Sequence, residues 1–331
     1  MADDSRLGIL LLSTTAPERL GGMSRRCEEL GFDEIWLAED YFFYGGFTGA
    51  AQALAATTRV RVGIGIVSCV ARHPAVTAME IASLDRAHPG RFLPGVGHGV
   101  PAWVAQMGLT PKSPMRALTE AVTGIRALLS TSEPLTTEGE YFTFREVALF
   151  HPPAGDVPLY LGVIGAKGCE LAGRIAEGNV LSVLAPTEYV TWARDLGQRG
   201  RDAAGRPGAF SVPTYVLTAV DTDRDAARAA VRASIAFYLA AVGPTPLTGA
   251  IGINDEVAEL VADGYDAVVE RMPEEWVDRL AISGTPAEVA ARIEQYWAAG
   301  ADSVVLSPQP ADSVGTQLEL IAAEVLPRLH R

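Results

Sequence analysis

"VGIGIVSCVARHPAVTAMEIASLDRAHPGRFLPGVGHG", residues 62–99, holds two short apolar runs with one amphipathic segment between them. The first run, with its preceding residues 60–61, has strand length and ends near Cys69. Pro74 then stands at a helix start, where a missing N–H costs nothing, and His73 before it suits a capping or packing role. The helix runs out at "HPG", and "RFLPGVGHG" (91–99) returns as a second strand. A strand, a crossover helix and another strand form the unit from which parallel sheets are built.

The same alternation extends in both directions. Strands are expected at 7–13, 34–40, 60–69, 91–99, 159–164, 179–185, 210–220 and 303–308. Helices are expected at 17–30, 48–57, around 114–130, up to about 204, over 223–241, at "PAEVAARIEQYWAAG" and at the carboxyl terminus. A hairpin is expected over 140–150, and an irregular, partly helical insertion over about 242–283. Eight strands each leading into a helix predict an α/β fold of the (β/α)8 TIM-barrel type, as one domain over 1–331. In such a barrel the ligand site lies at the carboxyl ends of the strands.

Composition narrows the function. The chain is 48% hydrophobic, and its apolar runs are of strand length, too short to span a bilayer. A formal charge of −13 disfavours nucleic-acid and anionic-membrane partners. The start, "MADDSRLGILLLSTTAPERL", has its acids ahead of a short apolar run, the wrong order for a secretory signal, so a cytoplasmic location is expected. Cys27, Cys69 and Cys169 lack metal or redox spacing and read as buried thiols, and no His/Asp/Glu cluster has metal-ligand spacing.

The strand ends collect Glu39, Asp40 and Tyr41, then Gly65 to Ser68, then Gly97, His98 and Gly99, then Gly165 to Gly168. Glycines at several adjacent strand ends imply a flat or extended ligand approaching the backbone. In "YLGVIGAKGCELAG" (160–173) a buried strand turns into a helix across Gly165, Ala166, Lys167 and Gly168. Free N–H groups at a helix start favour an anion, and Lys167 is one of only two lysines among 27 basic residues. The plainer alternative is a simple turn with a solvated lysine. Phe42, Phe43 and Tyr44, with Trp103 and Met107, are bulky residues where a substrate would enter. Trp276, within the insertion, reads more readily as packing.

The combination of "GFDEIWLAED", the stretch over 62–99 and "YLGVIGAKGCELAGRIAEGNVLS" resembles the luciferase-like flavin and deazaflavin oxidoreductases. Within them it is most similar to the branch that uses coenzyme F420, which includes methylenetetrahydromethanopterin reductase. The resemblance implies a barrel, a phosphate-tailed cofactor and hydride transfer. It also implies a cis peptide at Gly65–Ile66, with Ile64 and Val67 beside it, backing the cofactor ring. Glu39, Gly97, His98 and Gly99 would approach the ring or its chain, and Ile164 through Gly168 would take the phosphate. A small-molecule substrate and a homodimer follow by the same resemblance.

The chain departs from that family at the second strand end, where Glu39-Asp40 replaces a carboxylate–histidine pair. Val100 stands where the sugar-phosphate branch has a glutamate, and Lys112 and Lys167 alone cannot build that branch's phosphate site. The expected reaction is hydride transfer between deazaflavin C5 and an electron-poor C=C or C=N bond of a small, apolar or aromatic substrate. Asp40, Glu39, Tyr41 and His98 are the candidates for proton transfer. The alternatives are an FMN-dependent monooxygenase of the same superfamily and a barrel that binds cofactor or partner without turnover.

Overall fold

The computed structural model describes residues 5–330, so the acidic residues 1–4 of the start lie outside the described residues. The first half of the barrel is regular. β1 (Arg6–Leu11) and α1 (Leu20–Glu29) lead to β2 (Glu34–Leu37); α2 (Gly46–Ala56), β3 (Arg61–Ser68), α3 (Pro74–Ala87) and β4 (Phe92–Gly97) follow. After α4 (Pro101–Gln106) and α5 (Pro114–Ser130) comes a hairpin, β5 (Leu135–Glu138) and β6 (Thr143–Val147). The second half holds β7 (Tyr160–Gly162), α6 (Ala166–Ile175), β8 (Gly178–Asn179), α7 (Thr187–Ala203), β9 (Thr214–Val220) and α8 (Arg224–Val242). The insertion forms α9 (Pro246–Gly249), α10 (Asn254–Ala262), α11 (Tyr265–Arg271), α12 (Glu274–Leu280) and a short β10 (Ala281–Gly284). Then come α13 (Pro286–Ala299), β11 (Ser303–Pro308) and α14 (Val314–Leu320), followed by short helical turns over Ile321–Val325 and Leu326–Arg328.

All neighbours in the main sheet are parallel, and β1 lies between β2 and β11, so the first and last strands pair. The other side is closed by parallel bridges from Gly178 to Ser211 and from Leu181 to Thr214. There Leu181 N–H donates to Pro213 O at 2.8 Å, and Tyr215 N–H donates to Leu181 O at 2.9 Å. Eight strands thus form a ring, with β10 added to the carboxyl-terminal half of β9.

Helix α3 buries Ala78, Ile81, Ala82 and Asp85, the three-and-four spacing of one helical face. Its cap is His73, whose Nδ1 accepts from Ala75 N–H while the ring packs edge-on against Phe142 and Phe144. At the amino-terminal end of the barrel Glu34, 1% exposed, accepts from Trp36 Nε1 (2.8 Å) and Ser303 Oγ (2.7 Å) and pairs with Arg6 (3.0 Å) and Arg61. A carboxylate so deeply placed is tolerated because every side of it meets a donor.

Several expected boundaries move: β2 ends at Leu37 rather than 40 and β9 starts at Thr214 rather than 210, and two further shifts are larger. The hairpin forms over 135–147 rather than 140–150, because Gly139 N–H donates to Phe142 O and makes residues 140–142 the turn. The Glu120 carboxylate pins that turn by accepting from the N–H groups of Glu140 and Tyr141. The sixth barrel strand, expected to 185, ends as a regular strand at Asn179, and Leu184 has a positive φ of 68°. Among the described residues no helix is long and apolar enough to cross a membrane. All three thiols are buried, and burial pushes Cys27 and Cys69 up to about 12 and Cys169 to about 11.

Candidate functional site

The carboxyl ends of the strands enclose a cavity of about 400 Å3. Glu39 and Asp40 come from the segment after β2, Gly65 and Ile66 from β3, and His98 to Pro101 from the segment after β4. Gly162 to Ile164, Val180, Ser182 and Tyr215 complete the wall. The Gly65–Ile66 bond is cis, as is Tyr41–Phe42.

Glycines shape this wall in different ways. A methyl group at Gly65 would lie 2.1 Å from Tyr215 Oη, so β3 can pass over that ring only without a side chain. Side chains at Gly95, Gly97 and Gly162 would all collide with Ile66, at 3.0, 2.9 and 2.7 Å. Those three positions seat Ile66 in the barrel. Ile64, Val67 and Gly97 therefore stand buried behind the wall, while Ile66 lines it. Gly99, at φ 74°, carries the chain into the left-handed region that glycine adopts freely.

On the far rim, Ile164 is exposed and Gly165 is the residue from which α6 starts. The first hydrogen bond of that helix runs from Cys169 N–H to Gly165 O, leaving the N–H groups of Ala166, Lys167 and Gly168 available. Asn179 holds this corner from beneath: buried completely, it donates to Val163 O (2.8 Å) and accepts from Val163 N–H (3.0 Å). Tyr189 Oη donates to Ile164 O at 2.8 Å. Lys167 is exposed and forms no ion pair among the described residues.

The two adjacent carboxylates differ sharply. Glu39 receives both terminal nitrogens of Arg72 at 2.7 Å and the Gly46 N–H at 2.8 Å, with its side chain 4% exposed. A bidentate pair with a backbone donor saturates the group and fixes it. Asp40 accepts only Ser13 Oγ, at 2.6 Å, and forms no ion pair among the described residues. Its charge is felt by the phenols of Tyr44, Tyr215 and Tyr238.

His98 is half-buried, and its Nδ1 is buried with no hydrogen-bond partner among the described residues. Burial holds the imidazole below its ordinary value of 6.5. The folded pKa therefore lies under the unfolded one: the ring is neutral in both states well above 6.5, and stability falls as pH drops, because the unfolded chain takes the proton first. A His98→Asn variant should lose less stability than the wild type between about pH 7 and about pH 5.5, measured by urea unfolding. Equal losses in the two proteins would contradict this. The Tyr41 hydroxyl, buried beside Ser68, makes no well-formed hydrogen bond, and burial raises its pKa.

Of the bulky residues, Phe42 and Phe43 are exposed, and with Tyr44 and Met107 they line a second recess. Trp103 packs near Tyr41, and Trp276 is 5% exposed within the hydrophobic core. Sequence reasoning passed over Ser13, Arg72, Asn179, Ser182 and Tyr215. Arg72 lies inside the decisive stretch, but Asn179 and Tyr215 sit in apolar strands with no local pattern to mark them.

The sequence profile of the luciferase-like monooxygenases matches residues 5–303. The 5,10-methylenetetrahydromethanopterin reductase of Archaeoglobus fulgidus is 28% identical over 91% of this chain and 93% of its own. The F420-dependent glucose-6-phosphate dehydrogenase of Microbacterium testaceum is 30% identical over 95% and 94%. The solved structure of the coenzyme F420 dependent tetrahydromethanopterin reductase from Methanopyrus kandleri superposes with a TM-score of 0.85, at 25% identity over 99% of this chain and all of that one.

Proposed function

The chain belongs to the luciferase-like monooxygenase family, and on that premise we propose that it is an F420-dependent oxidoreductase. The proposed reaction moves a hydride between deazaflavin C5 and an electron-poor C=C or C=N bond of a small, apolar or aromatic substrate. One observation carries this reading: a glycine-shaped cavity at the strand ends, with His98 in its wall and the open amino end of α6 at its rim. Relatives whose names carry F420 support the cofactor chosen.

Gly65, Ile66, His98, Gly99 and Val163 would hold the ring, and the N–H groups of Ala166, Lys167 and Gly168 would hold the phosphate, with the Lys167 ammonium as an added charge. When bound and reduced, a deazaflavin supplies a hydride, that is, two electrons with one hydrogen. The protein's part is orientation, exclusion of water and the matching proton. Asp40 is the donor in this proposal, oriented by Ser13, while Tyr41 and His98 offer neutral hydrogen-bonding groups and Glu39 holds the loop through Arg72.

Fluorescence titration tests the cofactor. F420 should bind at least about tenfold tighter than FMN, and Lys167→Ala should weaken F420 by a few-fold, the loss of roughly one surface charge contact. Tighter FMN binding would reject the choice. A homodimer belongs to the same proposal: Val76 and Met79 on α3 are the exposed apolar side chains that a second copy would cover. A monomer in sedimentation velocity at micromolar concentration would exclude it.

A further inference from the structure

A second recess, of about 320 Å3, adjoins the cavity at the strand ends, and Glu39 and Asp40 belong to both walls. The aromatic run Tyr41 to Tyr44, with Ala71 and Met107, supplies its apolar surface. Arg72 is the cation on that wall, and it is committed: two of its nitrogens hold both Glu39 oxygens, and its Nε lies 3.6 Å from Glu80. Asp40 also lines this wall, with one oxygen taken by Ser13, and its other oxygen makes no hydrogen bond among the described residues.

A carboxylate or phosphate entering here would give up water against aromatic faces with no unengaged cation among the described residues of the recess wall to balance its charge. A neutral molecule would meet aromatic faces and one polar group with capacity to spare, the Asp40 carboxyl. We propose that this recess is the substrate alcove, that it takes an uncharged, planar, unsaturated compound with a carbonyl-type end directed at the Asp40 carboxyl, and that it rejects carboxylates and phosphates. The inference rests on the function proposed above, since the alcove serves the reaction only if the neighbouring cavity holds the ring.

Cinnamamide and cinnamate share a skeleton and differ in charge, so calorimetric titration of both, on protein with and without saturating F420, tests the alcove directly. Cinnamamide should bind at least about tenfold tighter than cinnamate, and Phe43→Ser should weaken cinnamamide at least about fivefold while F420 affinity stays within about twofold. Cinnamate binding as well as the amide, or an unchanged amide affinity in Phe43→Ser, would overturn the proposal. The two readings fail separately. Absent F420 binding with the amide preference intact would sink the cofactor and leave the alcove, whereas normal F420 binding without that preference would sink the alcove alone.

Discussion

Asp40→Asn is expected to lower kcat by about a hundredfold or more while changing F420 affinity far less, the signature of a lost proton donor. The side chains are nearly isosteric, so the loop after β2 should keep its course. The amide oxygen of the new side chain can still accept from Ser13 Oγ, which holds Asp40 at 2.6 Å in the wild type. What an amide cannot do is release a proton and regain it. Glu39→Gln gives the contrast. Removing that charge leaves the Arg72 guanidinium without its bidentate partner, so the loss should register first as reduced stability and a disordered recess. A kcat within about threefold of wild type in Asp40→Asn would remove Asp40 from the chemistry.

The second large effect is on the scaffold. Gly173→Val should destabilise the protein by about 3 kcal/mol or more, because overpacking against fixed backbone has no side chain to push aside. A Cβ there would lie 1.8 Å from Gly197 O and 2.7 Å from Arg201 N. Helices α6 and α7 touch backbone to backbone at this point, and a Cβ at Gly200 would lie 2.1 Å from Glu170 O. Gly165, at the start of the same helix, is the internal control. It has φ −90°, and a methyl group placed on it would meet nothing within 4 Å, so Gly165→Ala should change stability by no more than about 0.5 kcal/mol. Thermal and urea unfolding of the two variants measure the contrast directly. Similar losses for both would mean that the contact between α6 and α7 is softer than these distances imply.

The glycines also mark where reading from sequence stops. Alternating apolar runs and amphipathic segments suffice to order the barrel strands and helices, because each barrel strand buries most of its length and the long helices bury one face. The hairpin slips because its turn is decided by Glu120, far upstream on α5, through hydrogen bonds to Glu140 and Tyr141. Gly97, which reads as a ligand contact in "GVGHG", also makes room for Ile66, since a missing side chain does not reveal which neighbour fills the space. Glu39 and Asp40 are indistinguishable as a dipeptide. Their difference comes from Arg72 on one side and Ser13 on the other, both distant along the chain. Tyr215 and Asn179 are polar groups in strands whose neighbours are apolar, and only the closed ring brings them under the cavity.

The pairing of β1 with β11 has a bearing on biosynthesis. Arg6 reaches Asp302, and Glu34 reaches Ser303, across almost the entire polypeptide. A nascent chain can form its early strand–helix units on the ribosome, but the seam has no second edge until β11 has left the exit tunnel. Until then Glu34 lacks one of its donors and β1 offers an open edge to other chains. Ribosome-stalled chains ending before β11 should accordingly remain protease-sensitive and depend on holdase chaperones.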